Sequence, residues 1–155
     1  MIQPNPEIIQ QTMQGVIEKF LKPKFISLGM NASGKWLASL EARVNGSRGE
    51  IWGMDYTYYL VNGRSPGKRP PITPLVAWVG HKFGLSGQQA VSAAFAVANK
   101  IEKEGTNYYP SGTDLLEVLQ SPEVTQYVYN EIKNDMAGQV RSEILRITRQ
   151  TLITA

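Results

Sequence analysis

Cysteine is absent from this 155-residue chain, which excludes disulfides, thiolate-held metals, iron–sulfur clusters and thiol nucleophiles together. Histidine occurs once, at His81, too few for the usual zinc sites or for a multi-histidine proton relay. No stretch approaches the roughly 20 apolar residues a membrane span requires; the most apolar run, Ala90 to Ala98, is about half as long. The amino terminus has neither the basic start nor the apolar run of a secretory signal. Charged residues are sparse at 19%, while hydrophobic residues at 42% suffice to fill a core. These absences predict a soluble, cytoplasmically made chain of one-domain size, with no membrane association and no obvious redox or metal chemistry.

What charge there is lies unevenly. The net charge is +3, but residues 56–101 contain Arg64, Lys68, Arg69, Lys82 and Lys100 and no acid, whereas residues 102–155 carry eight acids and five bases. A basic middle and an acidic end can attract nucleic acid, or can draw copies of one chain together head to tail. Nucleic-acid binders usually carry denser Lys/Arg with interleaved aromatics.

Hydrophobic periodicity gives the elements. Ile9, Met13, Val16, Ile17, Phe20 and Leu21 share one helical face over residues 7–22, and Pro23 is expected to stop that helix. A loop with a short extended piece at Phe25 to Leu28 should follow. Alternation from Trp36 to Val44, the Gly46-Ser47-Arg48-Gly49 turn and the run Glu50 to Tyr56 predict a β-hairpin region over 35–56, opened by a turn of helix. Residues 62–71 hold Gly63, Pro66, Gly67, Pro70 and Pro71 and read as a projecting basic loop. Thr73 is placed to cap a helix over 74–83 with Leu75, Val76, Val79 and Phe83 inside. A second helix over 86–104 faces inward through Val91, Ala94, Phe95, Ala98 and Ile101, with Gly84 and Gly105 as stops. Ser121 and Pro122 then open a helix to Ile153, roughly 45 Å long if Gly138 does not bend it. The fold class is α+β: a small antiparallel β-sheet packed with several helices, in a single domain over 1–155.

Few residues could carry chemistry. Gly29-Met30-Asn31-Ala32-Ser33-Gly34-Lys35 has the spacing of a phosphate-binding loop, yet Trp36 stands where a magnesium-holding Ser or Thr is needed. No elbow presents a serine to His81. Glu102 and Glu104, two apart on a helix, do not face each other, and Glu50 with Asp55 is the remaining acid pair, across the hairpin. No catalytic residue, metal or cofactor is assigned. Aromatics, by contrast, are in surplus. Trp36 and Trp78 fit core faces or their edges, and Trp52, Tyr58, Tyr59, Tyr108, Tyr109, Tyr127 and Tyr129 exceed what a small core needs, which suits interface anchors.

The ordered set Gly34-Lys35-x-x-x-Ser39-Leu40, a hairpin, then Tyr56-x-x-x-Leu60-x-x-Gly63-Arg64 before a proline-rich loop resembles the tail-completion or head–tail joining proteins of long-tailed bacteriophages. Val61 stands where that family commonly has an acid, and Arg64 where it has Thr. A second piece resembles phage structural proteins: Pro70-Pro71-Ile72-x-x-Leu75-x-x-Trp78-Val79-x-x-Lys82, then Ala94-Phe95-Ala96-x-Ala98-x-Lys100-Ile101-x-x-x-Gly105-Thr106. The two cover residues 34–106. The resemblance implies a non-enzymatic virion protein of the neck or tail, a ring-forming homo-oligomer that meets other phage neck or tail proteins, with incidental DNA contact in a channel. Its expected partner-binding residues are Arg64, Lys68 and Arg69 in the loop, Trp52, Tyr108 and Tyr109 among the aromatics, and Val140, Ile144 and Ile147 on the last helix, whose turns beyond Gly138 should meet a neighbouring subunit. The alternative is a small nucleic-acid-binding protein using the acid-free stretch 56–101; a third reading is an enzyme with a carboxylate site.

Overall fold

The computed structural model describes residues 2–153, with side chains as far as Arg149. Asn5 begins the first helix, α1 (Pro6–Val16), by accepting the Glu7 amide on its side-chain oxygen at 3.0 Å, with Pro6 in the first turn where its missing N–H costs nothing. The predicted face is the one that packs: Ile9, Val16, Ile17 and Leu21 are buried. Thr12 is buried with them and donates its hydroxyl to the Ile8 carbonyl.

Pro23 does not stop the helix. The chain widens into a π-helical turn at Ile17–Leu21 and continues as α2 (Lys22–Ser27), with the Lys22 amide reaching back five residues to the Ile17 carbonyl. One extra residue in the turn lets the proline ring into a helical path that a regular α-turn would block. Ile17, Leu21 and Phe25 then stay on the inside, all buried. Phe25 to Ser27 is accordingly helical rather than extended.

The short helix α3 (Lys35–Ser39) precedes strands β1 (Glu41–Asn45) and β2 (Arg48–Trp52), paired antiparallel with Ala42 opposite Ile51 and Arg43 opposite Glu50. The connection is narrower than the sequence suggests: only Gly46 and Ser47 lie outside the ladder, and Gly49 is a strand residue pressed against Met13 and Ile9 of α1, where a side chain would not fit. β2 ends at Trp52, so the expected run to Tyr56 is cut short by a turn into α4 (Thr57–Asn62). Leu21, Phe25, Trp36 and Leu115 form the main core, with Leu40, Ile51 and Leu60 against it; the Phe25 and Trp36 rings stack at 4.4 Å.

A second core is built by α5 (Ile72–Phe83) and α6 (Gly87–Glu104). Its buried residues are Val79, Ala90 and Ala94, and the residues packed on them, Ile72 to Val97, all come from this helical hairpin. The start of α5 corrects the sequence reading. Pro71 caps it, so Thr73 lies inside the first turn. Ala90, Ala94 and Ala98, spaced by four, let the two backbones approach. The larger residues assigned to these faces turn outward instead: Phe83 is 59% and Phe95 45% exposed. Gly84 and Gly105 end α5 and α6 as expected.

A 3-10 turn (Glu117–Gln120) leads to α7 (Pro122–Ile153), where the Ser121 hydroxyl accepts the Val124 amide at 3.3 Å. The helix runs through Gly138 without interruption. It lies antiparallel to α1. Tyr127 meets Phe20 and Gly15, the Asn5 amide donates to the Asp135 carboxylate at 2.9 Å, and the Gln139 amide donates to the Gln3 carbonyl. The architecture is α+β, a two-stranded sheet amid helices.

Candidate interaction surfaces

The basic loop 62–71 does not project. It is strapped to the end of α6: the Arg64 amide donates to the Thr106 hydroxyl at 2.8 Å, the Thr106 amide to the Arg64 carbonyl at 2.9 Å, and the Gly67 amide to the Glu102 carbonyl at 2.8 Å. Gly63 and Gly105 make that contact possible. Both have positive φ, and a β-carbon at either would fall 2.5 Å from the Tyr109 nitrogen or the Arg64 oxygen respectively. The guanidinium of Arg69 pairs with Glu102 at 2.9 Å and donates to Asn99, while Arg64 donates to the Lys68 carbonyl at 3.2 Å. Lys68 alone of the three extends from the strap without a partner among the described residues. Lys82 of the same acid-free stretch donates to the Gly29 carbonyl. Of the five bases in the stretch on which a nucleic-acid reading rests, Arg64, Arg69 and Lys82 are thus engaged within the chain, while Lys68 and Lys100 are exposed.

The glycine-spaced loop 29–35 leads from a helix, α2, rather than from a strand, and into a helix of only five residues. Glu50 accepts the indole N–H of Trp52 at 2.9 Å and sits opposite Arg43, so it is not held against Asp55. His81 is exposed on α5. Among the described residues no three His, Asp or Glu groups converge to hold a metal ion, and no helix is long and apolar enough to cross a membrane.

Two surfaces remain, and both carry residues singled out by the sequence. The first is an aromatic apron between β2 and α4. Trp52, Met54, Tyr56, Tyr58 and Tyr59 are between 39 and 65% exposed, although burial on one side pushes the Tyr56 phenol pKa up. The apron is held rigidly from beneath: the Trp36 indole donates to the Thr57 hydroxyl at 2.8 Å, and Thr57 donates onward to the Met54 carbonyl. Arg43 covers one face of Trp52 at 4.7 Å, and the Tyr58 and Tyr59 rings meet edge to face at 5.5 Å. Tyr109 is 41% exposed, with its backbone against Gly63 at the end of α4. Tyr108 is half-buried in the same loop.

No family model, curated protein or solved structure matches this chain.

The second surface is the distal half of α7. The Gln139 side chain bonds to Gln3, just before α1, Ile2 shares a cavity with Ser142, Glu143 and Arg146, and every residue from Val140 to Arg149 is exposed. Val140, Ile144 and Leu145 are 41 to 58% exposed, and Ile147 is 51% exposed on the same half of the helix. Tyr127, counted among the surplus aromatics, is instead a packing residue under Lys19 and beside Phe20. The sequence missed Tyr56 and Met54 as members of the apron. The density of aromatics from Trp52 to Tyr59 could have found them.

Proposed function

We propose that this chain is a non-enzymatic structural subunit of a bacteriophage neck or tail, made in the host cytoplasm and incorporated into the virion as a ring with copies of itself and adjoining virion proteins. The observation that carries this reading is the distal half of α7, exposed from Val140 to Arg149, with Val140 and Ile144 turned to solvent. A monomer gains nothing from that surface, whereas a second chain that covers it removes each apolar side chain from water. The likeness of residues 34–64 to tail-completion and head–tail joining proteins, and of residues 70–106 to phage structural proteins, supports the choice of assembly. A chain ended after Gln139 should keep its melting temperature within a few degrees and show the mass of one protomer by light scattering, whereas the full chain shows several times that mass. A full-length chain that stays monomeric at all concentrations defeats the reading.

A further inference from the structure

The two exposed surfaces lie at opposite ends of the molecule. The helical path from Pro6 to Ser27 runs without a break in right-handed backbone, roughly 30 Å at 1.5 Å per residue. At its beginning, Gln3 and Asn5 hold Gln139 and Asp135 of α7, beyond which the distal half continues outward. At its far end, Phe25 stacks on Trp36, which bonds Thr57 in the middle of the apron. One chain cannot bring these surfaces together, but two chains can.

Their chemistries also complement each other. Glu50 and Asp55 lie within the apron segment, and Arg43, which covers one face of Trp52, is paired with Glu41 at 2.8 Å, so acids outnumber bases around the apron. Residues 137–149 contain Arg141, Arg146 and Arg149 against the one acid Glu143. Arg146 pairs with Glu143 at 2.6 Å, while Arg141 and Arg149 are exposed beside the apolar row. Aliphatic side chains flanked by arginines suit a tyrosine- and tryptophan-rich surface, which takes the former by burial and the latter over its ring faces. The competing occupants suit it less well. Two distal halves side by side would each bring net positive charge, and the region from Arg64 to Lys100 carries five bases and no acid.

We propose that the distal half of α7 of one copy docks on the Trp52–Tyr59 apron of the next copy. This rests on the self-assembly reading above and specifies its contact. The contact is heterologous: each copy offers one helix and one apron, so every copy joins two neighbours, and the chain of contacts closes into a ring when the rotation per step allows.

Two variants test it by complementation. One carries Val140→Asp with Ile144→Asp and keeps its apron; the other carries Tyr58→Ala with Tyr59→Ala and keeps its helix. Each alone should sediment as a monomer. Mixed in equal amounts they should form a dimer that grows no further, because the joined pair presents only a damaged helix at one end and a damaged apron at the other. A mixture that stays monomeric, or a tyrosine variant that assembles as the unaltered chain does, overturns the proposal. A photo-crosslinker at Tyr58 in the otherwise unaltered assembly gives an independent readout. Adducts should fall within residues 137–149 of a differently labelled copy. Assembly with adducts elsewhere overturns this contact and leaves self-assembly standing, whereas an unaltered chain that never assembles overturns both.

Discussion

At Gly15 a methyl group would occupy the space of the Tyr127 hydroxyl, which comes down on α1 from the facing helix. In an isolated helix, Gly→Ala stabilises by about 1 kcal/mol. Here it should instead destabilise, by roughly 1–3 kcal/mol, because Tyr127 must leave its place beside Phe20 and under Lys19. Urea unfolding of Gly15→Ala in the native and Tyr127→Phe backgrounds should show a milder loss in the second, where the nearest clashing atom is gone. Arg69 has a comparable hidden partner. Its neighbours in sequence suggest a cation free to meet another subunit, yet its acid lies on α6, on a different element. Arg69→Glu should therefore lower the melting temperature by setting a carboxylate against Glu102, and Glu102→Arg in the same chain should recover part of the loss. Reversal of Arg64, Lys68 and Arg69 together would disturb the subunit itself, so it cannot serve as a clean probe of assembly. Contacts of this kind are illegible in a sequence, because no local pattern links position 15 to 127 or 69 to 102.

Among the elements, the ends of α5 and α6 are legible because glycine at a helix end acts locally, through its own backbone. The continuation through Pro23 is not legible. Local preference favours a stop there, and burial of Ile17, Leu21 and Phe25 along one line outweighs it. The hairpin is legible by alternation, but its register is not, since the placement of Gly49 depends on the approach of α1. One ion pair ties α2 to the segment after α6. Lys24 donates to Asp114, and that hydrogen bond holds the Asp114 carboxyl below the usual aspartate range. A carboxyl whose pKa is lower folded than unfolded adds stability above its unfolded value, about 3.9, and loses it as pH falls through the folded value. Asp114→Asn should therefore cost a little stability at pH 7 and progressively less as the pH falls below the unfolded value, seen as urea midpoints that converge on acidification. The pair is exposed, so the effect should shrink in high salt.

For the molecule as a whole, the candidate surfaces are only half legible. Val140, Ile144 and Ile147 stand out because a helix of that length outruns one small body, and Trp52 stands out as one of more aromatics than a small core needs. Their positions at opposite ends emerge only once α7 is laid against α1. The separate alanine-lined core of α5 and α6 has a further consequence, for motion rather than contact. Its buried side chains all come from residues 72–97, and the strap from Arg64 to Arg69 and the Lys82 to Gly29 bond join it to the rest. Such a hairpin can open as one cooperative unit while the rest of the molecule remains closed. Amide exchange should then show α5 and α6 with a common opening free energy, below that of α1 and the first half of α7, and Thr106→Val, which removes the hydroxyl that accepts the Arg64 amide, should speed exchange in that hairpin while leaving the Leu21 and Phe25 amides as slow as before.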